Sequence, residues 1–118
     1  MNIIFLGSPG VGKGTYTKRV MEKYGLVHVS TGDIFRSHVK DDTLLGKEVR
    51  DDLEKGRLVP DSIVIKVAKE RLNEGDIKEN GVLLDGYPRT IPQAEALKEF
   101  FHIDLAVNFS AKESVIIQ

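Results

Sequence analysis

Short apolar runs alternate along this chain with longer stretches in which apolar residues recur every third or fourth position. The first pattern predicts strands buried on both faces of a sheet, and the second predicts amphipathic helices. The predicted strands cover residues 3–6, 26–29, 82–85 and 105–109. The predicted helices cover residues 14–24, 31–39, 43–55, 60–74 and 92–101. Strands that alternate with helices indicate an α/β fold with a parallel sheet and crossover helices.

Two segments depart from this alternation. Residues 30–59 contain two predicted helices and no predicted strand, so we expect a helical insertion within a core domain formed by residues 1–29 and 60–118. Near the end of the chain, residues 110–113 form a capping box, and the apolar residues 115–117 predict the start of another helix. This helix has a start signal but no stop signal before Gln118, and we therefore expect the chain to be a piece of a longer protein.

A glycine-rich loop connects the first predicted strand to the first predicted helix. It reads Gly-Ser-Pro-Gly-Val-Gly-Lys-Gly-Thr over residues 7–15. Glycines allow backbone N–H groups to turn toward phosphate oxygens, and the helix N-terminus adds partial positive charge. Lys13 can bridge the outer phosphates of a triphosphate. Gly14 stands where the general motif has Ser or Thr, so the role of the Thr15 hydroxyl toward Mg²⁺ stays open. A glycine-rich turn with a solvated lysine is the alternative, which the strand and helix on either side disfavour.

Three further charged residues are candidates for phosphate or metal binding. Asp85 ends a predicted strand at the carboxyl edge of the sheet, where it could hold Mg²⁺ directly or through water, or could cap the following loop. Arg89 follows shortly after; it could bind phosphate with its planar fork of donors or form a surface salt bridge. Arg36 lies one turn into a predicted helix, where it could face the same cleft or, as its position alone favours, be solvated.

Composition and charge argue against several other classes of protein. The 118 residues are 41% hydrophobic and 30% charged, with a formal net charge of −1, so no overall basic field indicates a nucleic-acid partner. No segment approaches the roughly 18 consecutive apolar residues of a membrane span. The chain has no cysteine, which excludes disulfides and fits a reducing cytoplasm, where we expect the protein. The three histidines are scattered without metal-ligand spacing.

Four motifs occur in an order and spacing that closely resemble adenylate kinases. They are the glycine-rich loop, Ser-Thr-Gly-Asp-Ile-Phe-Arg at 30–36, Gly-Arg-Leu-Val-Pro at 56–60 and Asp-Gly-Tyr-Pro-Arg-Thr at 85–90. The resemblance implies a P-loop NTPase-type parallel sheet with four of an expected five strands present. It implies reversible phosphoryl transfer between ATP and AMP to give two ADP, with Mg²⁺ as cofactor. It also implies that residues 30–59 form a mobile AMP-binding domain, and that the full-length protein is a monomer.

The resemblance also implies roles for individual residues. Lys13, Arg36 and Arg89 would be catalytic, with the two arginines on the AMP phosphate; Gln93 would meet the adenine, and Asp85 would hold Mg²⁺ through water. The ATP phosphates would be bound by Gly10, Val11, Gly12, Lys13, Gly14 and Thr15. AMP would be bound by Thr31, Arg36, Arg57, Leu58, Val59, Gly86, Tyr87, Pro88, Arg89 and Gln93.

Two other functions remain as alternatives. A uridylate/cytidylate kinase would share the glycine-rich loop and the arginine-bearing segments, although Gln93 favours adenine because its amide can pair with a purine amino edge. A noncatalytic nucleotide-binding fragment is the second alternative. Adenylate kinases continue into a lid with further arginines, which these 118 residues lack. We therefore expect the 118 residues alone to bind nucleotide weakly and to turn over poorly.

Overall fold

The computed structural model describes residues 1–7, 12–109 and 114–117. The strands of this part of the chain are β1 (Asn2–Gly7), β2 (Val27–Ser30), β3 (Val82–Asp85), β4 (Leu105–Phe109) and β5 (Ser114–Ile117). The helices are α1 (Lys13–Tyr24), α2 (Thr31–Lys40), α3 (Leu44–Glu54), α4 (Asp61–Leu72), α5 (Gly75–Asn80) and α6 (Ile91–Phe100). Each helix in the described part of the chain is too short or too polar to span a membrane.

The strands form one sheet in the order β2-β3-β1-β4-β5, and the first four run parallel, which confirms the predicted α/β fold. Strand β3 lies between β1 and β2, and the side chains of Val82, Leu83 and Leu84 are fully buried. In the register of the sheet, Asp85 lies beside Phe5 on one neighbour and beside Ser30 on the other. The carboxyl ends of β1, β2 and β3 therefore meet at one edge.

Helices cover both faces of the sheet, as the alternation of side chains along a strand requires. Ile3 and Phe5 of β1 belong to a cluster that Val20 and Met21 of α1 cover. Ile4, between them, belongs to the larger cluster on the opposite face, which includes apolar residues of α2 to α6. Both faces of β1 are thus buried, in agreement with its continuous apolar sequence.

The two helices predicted within residues 30–59 are present as α2 and α3. Each begins with a side-chain cap: the Ser30 hydroxyl accepts a hydrogen bond from the Asp33 N–H, and the Thr43 hydroxyl accepts one from the Gly46 N–H at 3.0 Å. Gly46 is buried where the start of α3 lies against the end of α2, so close that a Cβ there would collide with the carbonyl oxygen of His38. This close approach fixes the two helices against each other.

The end of the chain differs from the prediction. Residues 114–117 form β5, antiparallel to β4, with Ala106 beside Ile117 and Phe109 beside Ser114. The predicted helix at 115–117 is therefore wrong, and the described sheet has a fifth strand in addition to the four predicted. The sequence Val-Ile-Ile is β-branched throughout and suits a strand, and β5 pairs with what would otherwise be an open edge of β4. The capping box predicted at 110–113 lies outside the described residues.

The short helix α5 was not predicted. It follows α4 after two residues and is only six residues long, so it shows too few turns for a periodic pattern. Arg71 of α4 holds Asp76 of α5 through two hydrogen bonds of 2.9 Å, which join the two helices. The helix predicted over residues 60–74 stops before α5, and no predicted element covers residues 75–80.

Candidate functional site

The side chain of Lys13 folds back over the carboxyl end of β1. Its Nζ atom lies 3.1 Å from the carbonyl oxygen of Gly7 and 2.6 Å from Oδ1 of Asp85. Lys13 is the first residue of α1 and follows Gly12, whose φ of 85° places it in the left-handed region that favours glycine. Only 8% of Lys13 is exposed. The structure thus places an ammonium group at the sheet edge, beside the N-terminus of α1.

Among the other residues predicted to bind ATP phosphates, Gly12 directly precedes this lysine in the chain, and Gly14 and Thr15 directly follow it. Gly10 and Val11 lie outside the described residues. Gly14 and Thr15, in the first turn of α1, are exposed, and a Cβ at Gly14 would meet open space. The surface above the start of α1 is therefore open to a ligand at these two positions.

Asp85 is held by two basic groups. Lys13 approaches Oδ1, and Nε2 of His28 lies 3.2 Å from Oδ2. The hydrogen bond from His28, followed by the hydrogen bond and charge of Lys13, lowers the pKa of Asp85 against the opposing effect of burial. The carboxylate is therefore ionised at neutral pH. The sequence placed His28 in a strand but could not place it beside Asp85, because that contact depends on the register of β2 against β3.

The sheet edge offers Mg²⁺ a single carboxylate ligand. Mg²⁺ prefers oxygen ligands, keeps several waters and commonly uses one or two carboxylates together with phosphate oxygens. Asp85 supplies one such carboxylate, and the described residues contain no cluster of three or more His, Cys, Asp or Glu side chains suited to a metal ion. A Mg²⁺ ion here would depend on Asp85, water and the phosphates of a ligand.

A groove lies next to this edge, between the insertion and the loop after β3. It is lined by Thr31, Gly32, Phe35, Leu53, Arg57, Leu58, Val59, Val64, Gly86, Arg89 and Gln93. Most of the residues predicted to bind AMP are in this lining, from Thr31 to Gln93. Its volume is about 60 Å³, whereas small-molecule sites commonly measure about 300–1,000 Å³. The groove must widen before it can hold a nucleotide.

Three residues of the predicted AMP set lie elsewhere. The side chain of Arg36 is 65% exposed and pairs with Asp33 one helical turn earlier. Tyr87 is fully buried, so it packs in the core and offers no side-chain surface to a ligand. Pro88 lines a separate apolar cavity together with residues of α6 and β4. The Arg36 guanidinium lies beside Gly32, which lines the groove, while it is paired with Asp33.

A hydrogen-bond network holds the floor of the groove. The backbone N–H of Arg89 donates to Oε1 of Gln93 at 2.8 Å, and Nε of Arg89 donates to the Gly86 carbonyl oxygen at 2.8 Å. Nε2 of Gln93 and the Thr90 hydroxyl both donate to Oδ1 of Asp61 at 2.9 Å. The sequence identified Asp61 only as part of a helix start, because its partners lie about thirty residues away along the chain.

Comparison with known proteins agrees with this geometry. The family model described as adenylate kinase matches residues 5–118, which include the sheet edge, the groove and the Asp61 network. The chain belongs to the adenylate kinase family. This confirms the resemblance that the four motifs indicated.

Individual adenylate kinases are similar over nearly the whole chain. The adenylate kinase of Clostridium tetani is 57% identical over 100 residues, which are 85% of this chain and 46% of the relative. That of Fervidobacterium nodosum is 49% identical over 123 aligned positions, covering 100% of this chain and 56% of the relative. That of Bacillus subtilis is 46% identical with the same coverage. The chain thus spans about half the length of these adenylate kinases.

Proposed function

We propose that the protein transfers the terminal phosphoryl group of ATP to AMP, forming two ADP, and catalyses the reverse reaction. The observation that supports this most strongly is the junction at the end of β3. Asp85 pairs with Lys13 at the phosphate-binding edge, and the next residue, Gly86, lines the adjoining groove. Two anionic ligands bound at these places would meet where phosphoryl transfer requires them. Membership of the adenylate kinase family supports the same reaction.

In this proposal Lys13 changes partners when the triphosphate binds. Its ammonium group pairs with Asp85 in the structure, and a triphosphate held by residues 10–15 offers it more negative charge. Lys13 would then bridge the outer phosphates, and the Asp85 carboxylate would be available to hold Mg²⁺ through water. Bound Mg²⁺ would neutralise charge on the phosphates. His28 keeps its hydrogen bond to the other oxygen of Asp85 and holds the carboxylate in place.

The two arginines act on the acceptor side of the proposed reaction. Arg89 is exposed at the groove while its backbone is held by Gln93, so its side chain can adjust to the AMP phosphate. Arg36 would leave Asp33 and reach the same phosphate when the insertion moves. Both would spread the charge of the transferring group, and no covalent nucleophile is required. Opening of the narrow groove admits AMP, and closure of residues 30–59 excludes water.

A coupled assay with AMP, CMP and UMP as separate acceptors tests this proposal. The full-length protein, given MgATP, should form ADP fastest with AMP, and removal of Mg²⁺ by a chelator should abolish turnover. Absence of ADP formation from ATP and AMP would contradict the proposal. Faster turnover with CMP or UMP would instead support the pyrimidine-nucleotide alternative.

A further inference from the structure

We propose that Asp61 is a positioning residue that sets the orientation of the Gln93 amide and thereby makes the groove select a 6-amino purine over a 6-oxo purine. The inference rests on the proposed function, because it takes the groove as the site of the acceptor base. It adds a residue and a specific discrimination to that function.

The inference follows from the hydrogen bonds around the Gln93 amide. Gln93 is only 2% exposed, and yet it lines the groove. Its Nε2 donates to Oδ1 of Asp61 at 2.9 Å, and its Oε1 accepts from the backbone N–H of Arg89 at 2.8 Å. Asp61 lies in the first turn of α4, whereas Arg89 lies in the loop before α6, so two separate segments of the chain hold the amide.

The chemistry of the two anchors permits only one orientation of the amide. An ionised carboxylate only accepts hydrogen bonds, and a backbone N–H only donates. A flipped amide would place its oxygen against the Asp61 carboxylate and its NH₂ group against the Arg89 N–H. Both contacts would be repulsive. Asp61 is also close enough for its charge to contribute, after burial, to a raised pKa of the nearby Tyr87 hydroxyl.

The fixed amide keeps one N–H and one oxygen lone pair for a ligand, because an amide carries two of each. Adenine presents an amino donor beside a ring-nitrogen acceptor, and a glutamine amide pairs with such an edge through two hydrogen bonds. Hypoxanthine has nearly the same shape but carries an oxo acceptor beside a ring N–H donor. Gln93 could pair with hypoxanthine only after a flip, which Asp61 prevents. AMP should therefore be preferred over IMP.

Steady-state kinetics of the full-length protein with AMP and IMP, at saturating MgATP, test the inference. Replacement Asp61→Ala should lower the ratio of kcat/KM for AMP to that for IMP by about tenfold or more, since a flipped amide then meets one repulsive contact, at the Arg89 N–H, instead of two. The KM for ATP should stay within about twofold of its original value. Replacement Asp61→Asn, whose amide can present either an oxygen or an NH₂ group to Gln93, should give a ratio between those of the wild type and Asp61→Ala. In a Gln93→Ala background, Asp61→Ala should not change the ratio further.

An unchanged AMP-to-IMP ratio in folded Asp61→Ala protein would overturn the inference, and so would a further loss in the Gln93→Ala background. Circular dichroism and thermal melting report whether each variant folds. If Asp61→Ala does not fold, Asp61→Ser removes the same carboxylate and keeps a polar side chain.

Amide hydrogen exchange at Arg89 separates this inference from the proposed function. Asp61→Ala should speed exchange of the Arg89 N–H, because its acceptor on Gln93 loses its anchor, and this holds whatever the substrate is. If the wild-type protein does not phosphorylate AMP but exchange at Arg89 speeds up, the proposed function fails and the positioning role of Asp61 stands. Unchanged exchange in protein that does phosphorylate AMP overturns the inference alone.

Discussion

The side chain of Lys13 is buried although it carries a charge, and its surroundings explain why this is tolerated. The ammonium group contacts the Asp85 carboxylate and the Gly7 carbonyl oxygen, and Asp85 has a second partner in His28. A buried charge without such partners would be strongly unfavourable. These contacts keep the charged groups of the proposed phosphate-binding edge in place before any ligand arrives.

Replacement Asp85→Asn should lower the free energy of unfolding at neutral pH by about 1–3 kcal/mol, since Lys13 and His28 lose a charged acceptor. Folding lowers the pKa of Asp85, so its stabilising contribution is present above the unfolded-state pKa, about 3.9, and is lost as the pH falls through the lower folded-state value. Denaturant titrations from pH 7 to pH 3 should show the difference between wild type and variant shrinking below about pH 4.

Glu95→Gln on the exposed face of α6 provides the control, and it should change the free energy of unfolding by less than about 0.5 kcal/mol. A stability difference for Asp85→Asn that stayed constant down to pH 3 would show that the carboxylate charge does not act as described.

Single residues could be predicted from the sequence when a local pattern carried the information. Lys13 was recognisable because it follows a glycine-rich loop between a buried strand and a helix, and Asp85 because it ends a buried strand. His28 and Asp61 were not, because their partners are 57 and 32 residues away and depend on how elements pack. Burial of Tyr87 also depends on packing, and the motif that contains it does not show which of its side chains faces a ligand.

At the scale of elements, the insertion depends on the close contact between α2 and α3. Gly46 allows this contact, because any side chain at that position would strike the backbone of α2 at His38. The caps at Ser30 and Thr43 fix where the two helices begin. Movement of the insertion as a unit, which the proposed reaction requires, needs this pair of helices to stay together.

Replacement Gly46→Ala should lower the free energy of unfolding by about 1–3 kcal/mol, because it forces the two helices apart. Helix propensity alone would predict the opposite, a gain of up to about 1 kcal/mol. Denaturant unfolding followed by circular dichroism shows whether the free energy of unfolding falls or rises.

Gly75→Ala, at the first residue of α5, is the matched control, since a Cβ there meets nothing within 4 Å. It should be neutral or slightly stabilising. An equal effect of the two substitutions would rule out the close contact at Gly46.

The accuracy of the sequence-based prediction differed between strands, helices and the end of the chain. The strands at 82–85 and 105–109 agree with the structure to the residue, because each begins with three consecutive apolar residues and is bounded by polar or turn residues. The predicted helix ends lie within two residues of the ends in the structure, a difference that capping and fraying explain. The segment 114–117 was assigned wrongly because its start resembles a helix cap, whereas pairing along the edge of β4 determines the structure.

At the scale of the whole molecule, one end of β3 connects the two regions that we propose bind ATP and AMP. Asp85 belongs to the edge that Lys13 occupies, and the loop from Gly86 to Arg89 forms part of the groove. The parallel sheet brings these regions together, because the carboxyl ends of neighbouring strands lie at the same edge. Donor and acceptor sites should therefore be separable by mutation although they adjoin.

Isothermal titration of the full-length protein with MgATP and, separately, with AMP tests this arrangement most directly. Replacement Lys13→Met should weaken MgATP binding by about tenfold or more, since the phosphates lose a charge-assisted contact, and should leave AMP affinity within about threefold. Lys18→Met, an exposed lysine of the same helix, should change neither affinity. Equal MgATP affinity in wild type and Lys13→Met, with AMP binding intact, would contradict a polyphosphate site at Lys13.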